Sequence, residues 1–337
     1  MEQWTKYGDE LCLRGIKVNE WNAQSKDNPH IDKEFDLGIF FASFESRALI
    51  SSKLLKKRAC HQTIIIYFTE AKEDKLRVEY DVILKKQVTR CSVNPPKIIE
   101  DFSIRDITKI INNIFENVNY KNNNKWFLDI GGAPIPYFLG LMGYLKEWLL
   151  PPVLTIFNPT GKYVKSHKME RFSFTAGFCE TIWIPRFWGV MDCTLPQEYI
   201  FMLGHDGFRS QWLLETCEPD KVQAFLAQPG YLPEHEARAL EENKLFMDLV
   251  GLTSETILKA DAADVVDTYL KLDQLIRKEK GKYNICFAPL GTKAHALACG
   301  ICALAHNTPA IIYQMPRSFS VRDVPCGETL WLYEIKL

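Results

Sequence analysis

The sequence predicts an α/β protein made of two halves, each built on a mainly parallel sheet. Apolar strand-like runs alternate with helical segments along the chain. The same series of elements also occurs twice, at an offset of about 160 residues, with glycine and polar residues directly after the strands. Such alternation is typical of a parallel sheet covered by helices on both faces. We therefore expect an internal duplication whose halves are related by an approximate twofold axis.

The elements divide the chain into three parts. Residues 1–35 are expected to add peripheral strands, residues 36–190 to form the first half and residues 191–337 to form the second half. Residues 329–337 are predicted to be a further peripheral strand. The aromatic- and proline-rich segment 161–196 has no predicted place in either half.

Each half begins with an apolar strand that runs into a short loop and the start of a helix. Residues 36–48 in the first half and 199–210 in the second are each predicted to form a strand, a tight loop and a helix start. The polar residues after these strands are Ser43, Glu45 and Arg47 in the first half and His205, Asp206 and Arg209 in the second. In a parallel sheet, loops that follow the strands lie at the edge where ligands bind.

The middle elements of the two halves also correspond. A short apolar strand is predicted at Thr63–Thr69 and another at Val222–Ala227. A helix follows in each half, from a cap at Asp101 or Ser103 in the first half and over Asp261–Lys280 in the second.

The last elements match most closely. Trp126 begins an apolar strand that ends in Gly131 and Gly132, and a helix is predicted from about 135 to 149. In the second half the strand ends in Leu-Gly-Thr-Lys, with Gly291, Thr292 and Lys293, before a helix from about 294 to 306. Both stretches predict a strand, a tight turn and a helix start.

The second of these turns has the chemistry of a phosphate site. Glycine lets backbone N–H groups approach a ligand, and a helix N-terminus attracts an anion. Thr292 adds a hydroxyl donor and Lys293 a positive charge. The alternative is that Gly291 serves only a tight turn and that Lys293 is solvated.

Arg47 and Arg209 are predicted in the first turn of a helix, where the helix dipole disfavours a cation. Binding of an anionic ligand would explain both positions, and so would pairing with the neighbouring Glu45 or Asp206. His205 with Asp206 could form an acid–base pair or hold a hydrogen bond in the loop.

Composition limits the function. In 337 residues there are 41 Lys and Arg and 42 Asp and Glu, which gives a net charge of −1. Proteins that bind duplex nucleic acid by bulk electrostatics carry a positive excess, so we expect no bulk duplex-DNA binding. No Walker-type loop and no Gly-x-Gly-x-x-Gly fingerprint occurs, which disfavours a P-loop ATPase and an NAD(P) dehydrogenase.

Ten cysteines are scattered along the chain, several of them in apolar runs, which favours free thiols in a reducing cytoplasm. No secretory signal opens the sequence and no apolar run reaches about 18 residues, so we expect a cytoplasmic protein without a membrane span. Cys299 and Cys302 have redox or metal spacing, but no second pair accompanies them, and we interpret them as helix core. No metal and no cofactor is predicted.

These features resemble the CRISPR-associated Rossmann fold family, the ligand-sensing domains of prokaryotic antiviral signalling. The Leu-Gly-Thr-Lys turn at 290–293 is similar to that family's late-strand turn, and Gly131-Gly132-Ala133-Pro134 is a copy without the hydroxyl and the ammonium group. Ser43 and His205 stand at the first-strand positions. The resemblance covers two copies and implies two Rossmann-like halves around one cleft.

The resemblance implies recognition of a nucleotide or oligonucleotide second messenger in antiviral defence. The expected partner is a phosphate-bearing small molecule or oligonucleotide, with a further defence-system subunit as a possible protein partner. One alternative is a nucleotide hydrolase, phosphodiesterase or transferase that uses Thr292, Lys293 and His205. The other alternative is a scaffold subunit whose pockets bind nothing. The predicted ligand-binding residues are Ser43, Glu45, Arg47, Gly131, Gly132, His205, Asp206, Arg209, Gly291, Thr292 and Lys293.

Overall fold

The computed structural model describes residues 5–7, 11–18, 31–118, 125–147, 153–162, 175–177 and 180–336. Its packing divides the chain into two compact units. The first contains Met1–Tyr163 together with Val321–Leu337, and the second contains Val164–Ser320.

Eight strands form one sheet in the first unit, in the spatial order β1-β2-β16-β7-β6-β3-β4-β5. They are β1 (Thr5–Tyr7), β2 (Leu11–Val18), β3 (Phe35–Phe41), β4 (Cys60–Phe68), β5 (Lys97–Phe102), β6 (Lys125–Asp129), β7 (Val153–Gly161) and β16 (Cys326–Lys336). β3 to β7 pair in parallel, whereas β16 pairs antiparallel with both β7 and β2. Counted along the chain from β3, the parallel strands have the order 3-2-1-4-5.

Helical segments connect the parallel strands of the first unit. They are the 3₁₀ turn Ser46–Leu49, α1 (Ile50–Leu54), α2 (Lys75–Cys91), α3 (Ile107–Glu116) and α4 (Ile135–Lys146). The isoleucines of α3 recur at helical spacing and are buried, as the pattern predicts. The predicted cap is wrong. The helix begins after Asp106, because Asp101 has a left-handed φ of 67° at the end of β5 and the Ser103 hydroxyl donates to Glu70.

The second unit repeats the parallel order. Its six-stranded sheet has the order β12-β11-β10-β13-β14-β9, which is 3-2-1-4-5 counted from β10, with β9 antiparallel on β14. The strands of this sheet are β9 (Glu180–Trp183), β10 (Gln197–Met202), β11 (Lys221–Ala227), β12 (Leu258–Ala260), β13 (Asn284–Pro289) and β14 (Ala310–Met315). Two further short strands, β8 (Thr175–Ala176) and β15 (Ser318–Phe319), form a separate antiparallel pair. The helices are α5 (Gly207–Cys217), α6 (Glu234–Glu242), α7 (Lys244–Val250), α8 (Val265–Glu279) and α9 (Lys293–His306).

The predicted fold class is confirmed, because both units are Rossmann-like α/β structures with mostly parallel sheets. The packing places two segments differently from the predicted boundaries. β9, before residue 190, pairs with β14 of the second unit, and β16, at the end of the chain, joins the sheet of the first unit. The predicted helix from 135 to 149 is described as far as Lys146, and residues 148 and 149 lie outside the described residues.

Candidate functional site

In sheets of this order, ligands bind beyond the carboxyl ends of the first and fourth strands, where the direction of winding reverses. These neighbours are β3 and β6 in the first unit and β10 and β13 in the second. All the predicted ligand-binding residues follow one of these four strands. The topology therefore brings the sequence-predicted residues to one crevice in each unit.

The turn after β13 opens a 14-residue helix. Thr292 is the N-cap of α9, where its hydroxyl oxygen accepts the His295 N–H at 3.1 Å. The same hydroxyl donates to the Ala262 carbonyl oxygen at 2.9 Å. Lys293 is the first residue of the helix and is partly exposed. Thr292 thus has the contacts of a helix cap, while Lys293 places a cation at the helix N-terminus.

His295, in the first turn of α9, is a residue that the sequence analysis missed. Its side chain is fully buried, and Nε2 lies 3.0 Å from the Asp261 carbonyl oxygen. Because a carbonyl can only accept, Nε2 carries the hydrogen and Nδ1 is left as a buried acceptor. Burial lowers the pKa of His295 to about 4. The signal was a histidine at the second position of a predicted helix, which is too common a pattern to single out.

Thr292 and His295 together connect two loops. The Thr292 hydroxyl donates to the Ala262 carbonyl oxygen, and the His295 ring donates to the Asp261 carbonyl oxygen. These two bonds hold the turn after β13 to the loop after β12. Asp261 and Asp264 in turn accept backbone N–H groups at the start of α8. The second crevice is therefore bounded by a fixed backbone frame.

The loop after β10 carries the predicted pair His205 and Asp206. His205 Nε2 lies 3.3 Å from the His235 carbonyl oxygen, and the two imidazole rings meet edge to face with centroids 5.0 Å apart. Asp206 accepts a hydrogen bond from the Thr175 hydroxyl at 2.9 Å. Both predicted residues are partly exposed and lie against neighbouring elements of the second unit.

Asn243, between α6 and α7, is hydrogen-bonded to the loop after β10 and to the helix α5 that follows it. The sequence analysis did not predict this residue. Its side chain is fully buried and donates to the Gly204 carbonyl oxygen at 2.7 Å, while its own oxygen accepts from the Ser210 hydroxyl at 3.0 Å.

Glycines bring the first- and fourth-strand loops of each unit into close contact. A Cβ atom at Gly204 would overlap the Leu290 carbonyl oxygen, and one at Gly291 would lie 2.9 Å from the Leu203 carbonyl oxygen. In the first unit, a Cβ at Gly132 would lie 2.5 Å from the Phe41 carbonyl oxygen. Real Cβ atoms do not approach that closely, so the packing of the loops requires glycine at these positions.

The two predicted arginines are buried, and each contacts protein groups. Arg47 Nε donates to Glu45 Oε2 at 2.6 Å, which is the local pairing considered from the sequence. Arg209 instead donates to the Gln314 carbonyl oxygen and places its guanidinium 4.7 Å from the centre of the Tyr313 ring. The second arginine is therefore held to β14 as well as to its own helix.

The crevice of the first unit has a different chemistry. Asp129, at the end of β6, is buried; it accepts the Gly131 N–H at 2.7 Å and the Ser51 hydroxyl. α4 begins after Pro134 without a side-chain cap. Where the second unit offers Thr292 and Lys293, the first unit offers a carboxylate and a proline.

Other features bear on the alternatives. Cys299 and Cys302 are buried in α9, and burial raises the pKa of both thiols, so the core interpretation holds. Within the part of the chain that the structure describes, no three His, Cys, Asp or Glu side chains are grouped to hold a metal. Among the described helices, none has the length and apolar character needed to cross a membrane.

No protein-family model matches the chain, and no curated protein matches it. Solved structures with a weak likeness include one described as a universal stress protein from Pseudomonas aeruginosa UCBPP-PA14. It has 7% identity and a TM-score of 0.27, over 83% of this chain and 94% of that chain. A functionally unknown protein from Pseudomonas aeruginosa PAO1 has 8% identity and a TM-score of 0.25, over 84% and 93%. A likeness of this size says nothing about ligand, activity or partner.

Proposed function

We propose that the chain recognises a phosphate-bearing nucleotide or oligonucleotide second messenger, and that the second unit binds it at the carboxyl ends of β10 and β13. The observation that carries the proposal is the position of Lys293. It is the first residue of the long helix α9, which follows β13, and β13 pairs with β10 in the sheet. A helix N-terminus favours negative charge, and an ammonium group adds a charge-assisted hydrogen bond to a phosphate oxygen. His205 and Asp206, after the neighbouring strand, would contact the rest of the ligand.

Binding fits this geometry better than catalysis. Among the predicted catalytic residues, Thr292 already holds two backbone groups through its hydroxyl. A nucleophile needs a base within hydrogen-bond reach, and the groups that contact this hydroxyl are an amide N–H and a carbonyl oxygen. We therefore place Thr292 in the frame of the site and leave ligand contact to the backbone and Lys293.

The non-binding alternative fits the first unit. Asp129 places a buried carboxyl group beside its glycine turn, and Glu45 pairs with Arg47. An acidic group therefore lies near each of the two turns, and neither favours a phosphate. The first unit would then act as the scaffold of the pair, and the second as the sensor.

The resemblance to CRISPR-associated Rossmann fold domains supports a place in cytoplasmic antiviral defence, with another defence-system subunit as the protein that reads the bound state. Eight of the cysteines are free thiols, which is compatible with a reducing compartment.

Native mass spectrometry of the protein purified from its host tests the proposal. We expect an added mass equal to one nucleotide ligand per chain, released on denaturation and carried by a smaller share of the Lys293→Ala molecules. A protein that carries no nucleotide and gains none when incubated with short oligonucleotides would contradict the proposal.

A further inference from the structure

Gln314, in the fifth parallel strand of the second unit, carries a buried amide without a hydrogen-bond partner. The residue is fully buried, and within the part of the chain that the structure describes neither its side-chain oxygen nor its side-chain nitrogen is hydrogen-bonded. Such an amide is destabilising, because it has lost its hydrogen bonds to water without replacing them. A ligand would supply the missing partners.

The register of the sheet places this amide beside the proposed phosphate site. β13 and β14 pair in parallel, with Phe287 opposite Ile311. The same register, continued to the ends of the strands, brings Gln314 level with Leu290, the residue before Gly291. Gln314 therefore lies next to the turn that leads into α9.

The amide also lies on the face of the sheet that α9 covers. The Arg209 guanidinium, from α5, lies over the Tyr313 ring, and consecutive side chains of a strand point to opposite faces. The connection from β10 to β11 and that from β13 to β14 run in opposite directions across the sheet, so right-handed crossovers put α5 and α9 on opposite faces. The Gln314 amide therefore shares its face with the helix that begins at Lys293.

The short pair of strands β8 and β15 spans this end of the second unit. β15 follows closely on β14, and the Thr175 hydroxyl of β8 donates to Asp206, in the loop after β10, at 2.9 Å. Because β13 lies between β10 and β14, the pair crosses the carboxyl end of β13. A ligand that enters here would displace this pair.

The chemistry of an amide suits a nucleobase better than a phosphate. A side-chain amide offers a donor and an acceptor side by side, and the edge of a base presents the complementary pair. Phosphate oxygens mainly accept, so a phosphate would leave the amide oxygen without a partner.

We propose that Gln314 recognises the base of the nucleotide whose phosphate is held at Lys293. The amide N–H donates to an acceptor on the base edge, and the amide oxygen accepts from a neighbouring N–H of the base. Arg209 is then a positioning residue, because it donates to the Gln314 carbonyl oxygen and holds the backbone of this residue. The inference rests on the proposed function for the phosphate and adds the group that selects the base.

Calorimetric titration with the four ribonucleoside 5′-diphosphates and with pyrophosphate, which lacks the base, tests the inference. Gln314→Met keeps the approximate size of the side chain and removes both polar atoms, and Gln314→Leu is a second apolar variant. Gln197→Met is the control, since it makes the same change at an exposed position at the amino end of β10.

We expect the wild type and the control to bind at least one diphosphate more tightly than pyrophosphate. Both Gln314 variants should bind that diphosphate about tenfold to a hundredfold more weakly and should bind pyrophosphate as the wild type does. The melting temperature of ligand-free Gln314→Met should rise by about 2–4 °C, because the unsatisfied amide is gone.

Two results would overturn the inference and leave the proposed function standing. One is unchanged diphosphate affinity in both Gln314 variants while Lys293→Ala weakens binding. The other is a lower melting temperature of ligand-free Gln314→Met, which would show that the folded unit already satisfies the amide, as a buried water does. A wild-type protein that binds neither the diphosphates nor pyrophosphate would contradict the proposed function itself, and this inference with it.

Discussion

The two units differ at the turn that follows their fourth parallel strand. The first unit has a carboxylate at the end of this strand, where the second unit has an apolar residue. The second unit has an ammonium group a few residues later, where the first unit has a proline. Asp129 aligns with Ala288 when the two glycine turns are superposed in sequence, and Pro134 aligns with Lys293. The strand order around the two turns is the same. The two turns therefore differ in their charged groups, although Asp206 also lies in the first-strand loop of the second unit and Arg47 in that of the first.

The comparison separates what the frame requires from what a ligand would require. Glycine contacts between the first- and fourth-strand loops occur in both units, so they belong to the frame. The capped helix start with Lys293 occurs in the second unit, and the buried carboxyl group of Asp129 occurs in the first. Substitutions of these glycines should lower stability to a similar extent in either unit. Substitutions of the residues that differ should affect only the unit that carries them.

The largest expected effect concerns the shared frame. Gly132→Ala and Gly204→Ala each drive a Cβ into a carbonyl oxygen of the facing loop, and we expect each to lower the free energy of unfolding by about 3 kcal/mol. Gly281→Ala is the control, because a Cβ there meets nothing within 4 Å and adds only the strain of a φ of 79°, about 1 kcal/mol. Urea unfolding gives the values. An equal loss of unfolding free energy in all three variants would show that the loops can move apart to accommodate a Cβ atom.

A pH effect of similar size belongs to the second unit. The unfolded imidazole has a pKa of about 6.5, and His295 in the folded unit has one of about 4. The unfolded state therefore takes up the proton first as the pH falls, and stability present above pH 6.5 is lost towards pH 4, by about 3 kcal/mol.

Urea unfolding at several pH values checks this prediction. His295→Gln keeps a donor for Asp261 and should remove that part of the pH dependence, while the exposed His61→Gln should leave it unchanged. A wild-type curve that runs parallel to that of His295→Gln between pH 7 and pH 4 would refute the assignment.

A smaller effect is expected at the helix cap. Thr292→Val removes the hydroxyl that accepts from His295 and donates to Ala262, and should destabilise the second unit by about 1–2 kcal/mol. Thr292→Ser retains both bonds and should cost much less. Hydrogen exchange at the start of α9 shows where the loss falls. Equal destabilisation by Val and Ser would mean that the methyl group, and not the hydroxyl, matters.

The order of elements could be read from the sequence because each buried parallel strand is a continuous apolar run. β3, β6, β10 and β13 are of this kind, and their loops carry the predicted residues. The edge strands β5 and β12 were not predicted, because β12 has only three residues and β5 carries charged side chains at exposed positions.

The partners of the site residues could not be predicted. Arg209 contacts Gln314, more than 100 positions away in the chain, and Asp323 reaches Ser46 across most of the sequence. Local reasoning identified Glu45 as a partner of Arg47 because the two are near neighbours. Contacts between distant loops depend on the tertiary fold, which residue spacing does not encode.

Calorimetric titration with short linear and cyclic oligoribonucleotides tests the difference between the two crevices most directly. We predict one site per chain for the wild type. Lys293→Ala should weaken binding about tenfold to a hundredfold, since a charge-assisted hydrogen bond contributes about 1.5–3 kcal/mol. Lys282→Ala, which removes an exposed lysine at the opposite end of β13, should bind as the wild type does. Equal affinity of Lys293→Ala and wild type, or two equivalent sites per chain, would contradict the account.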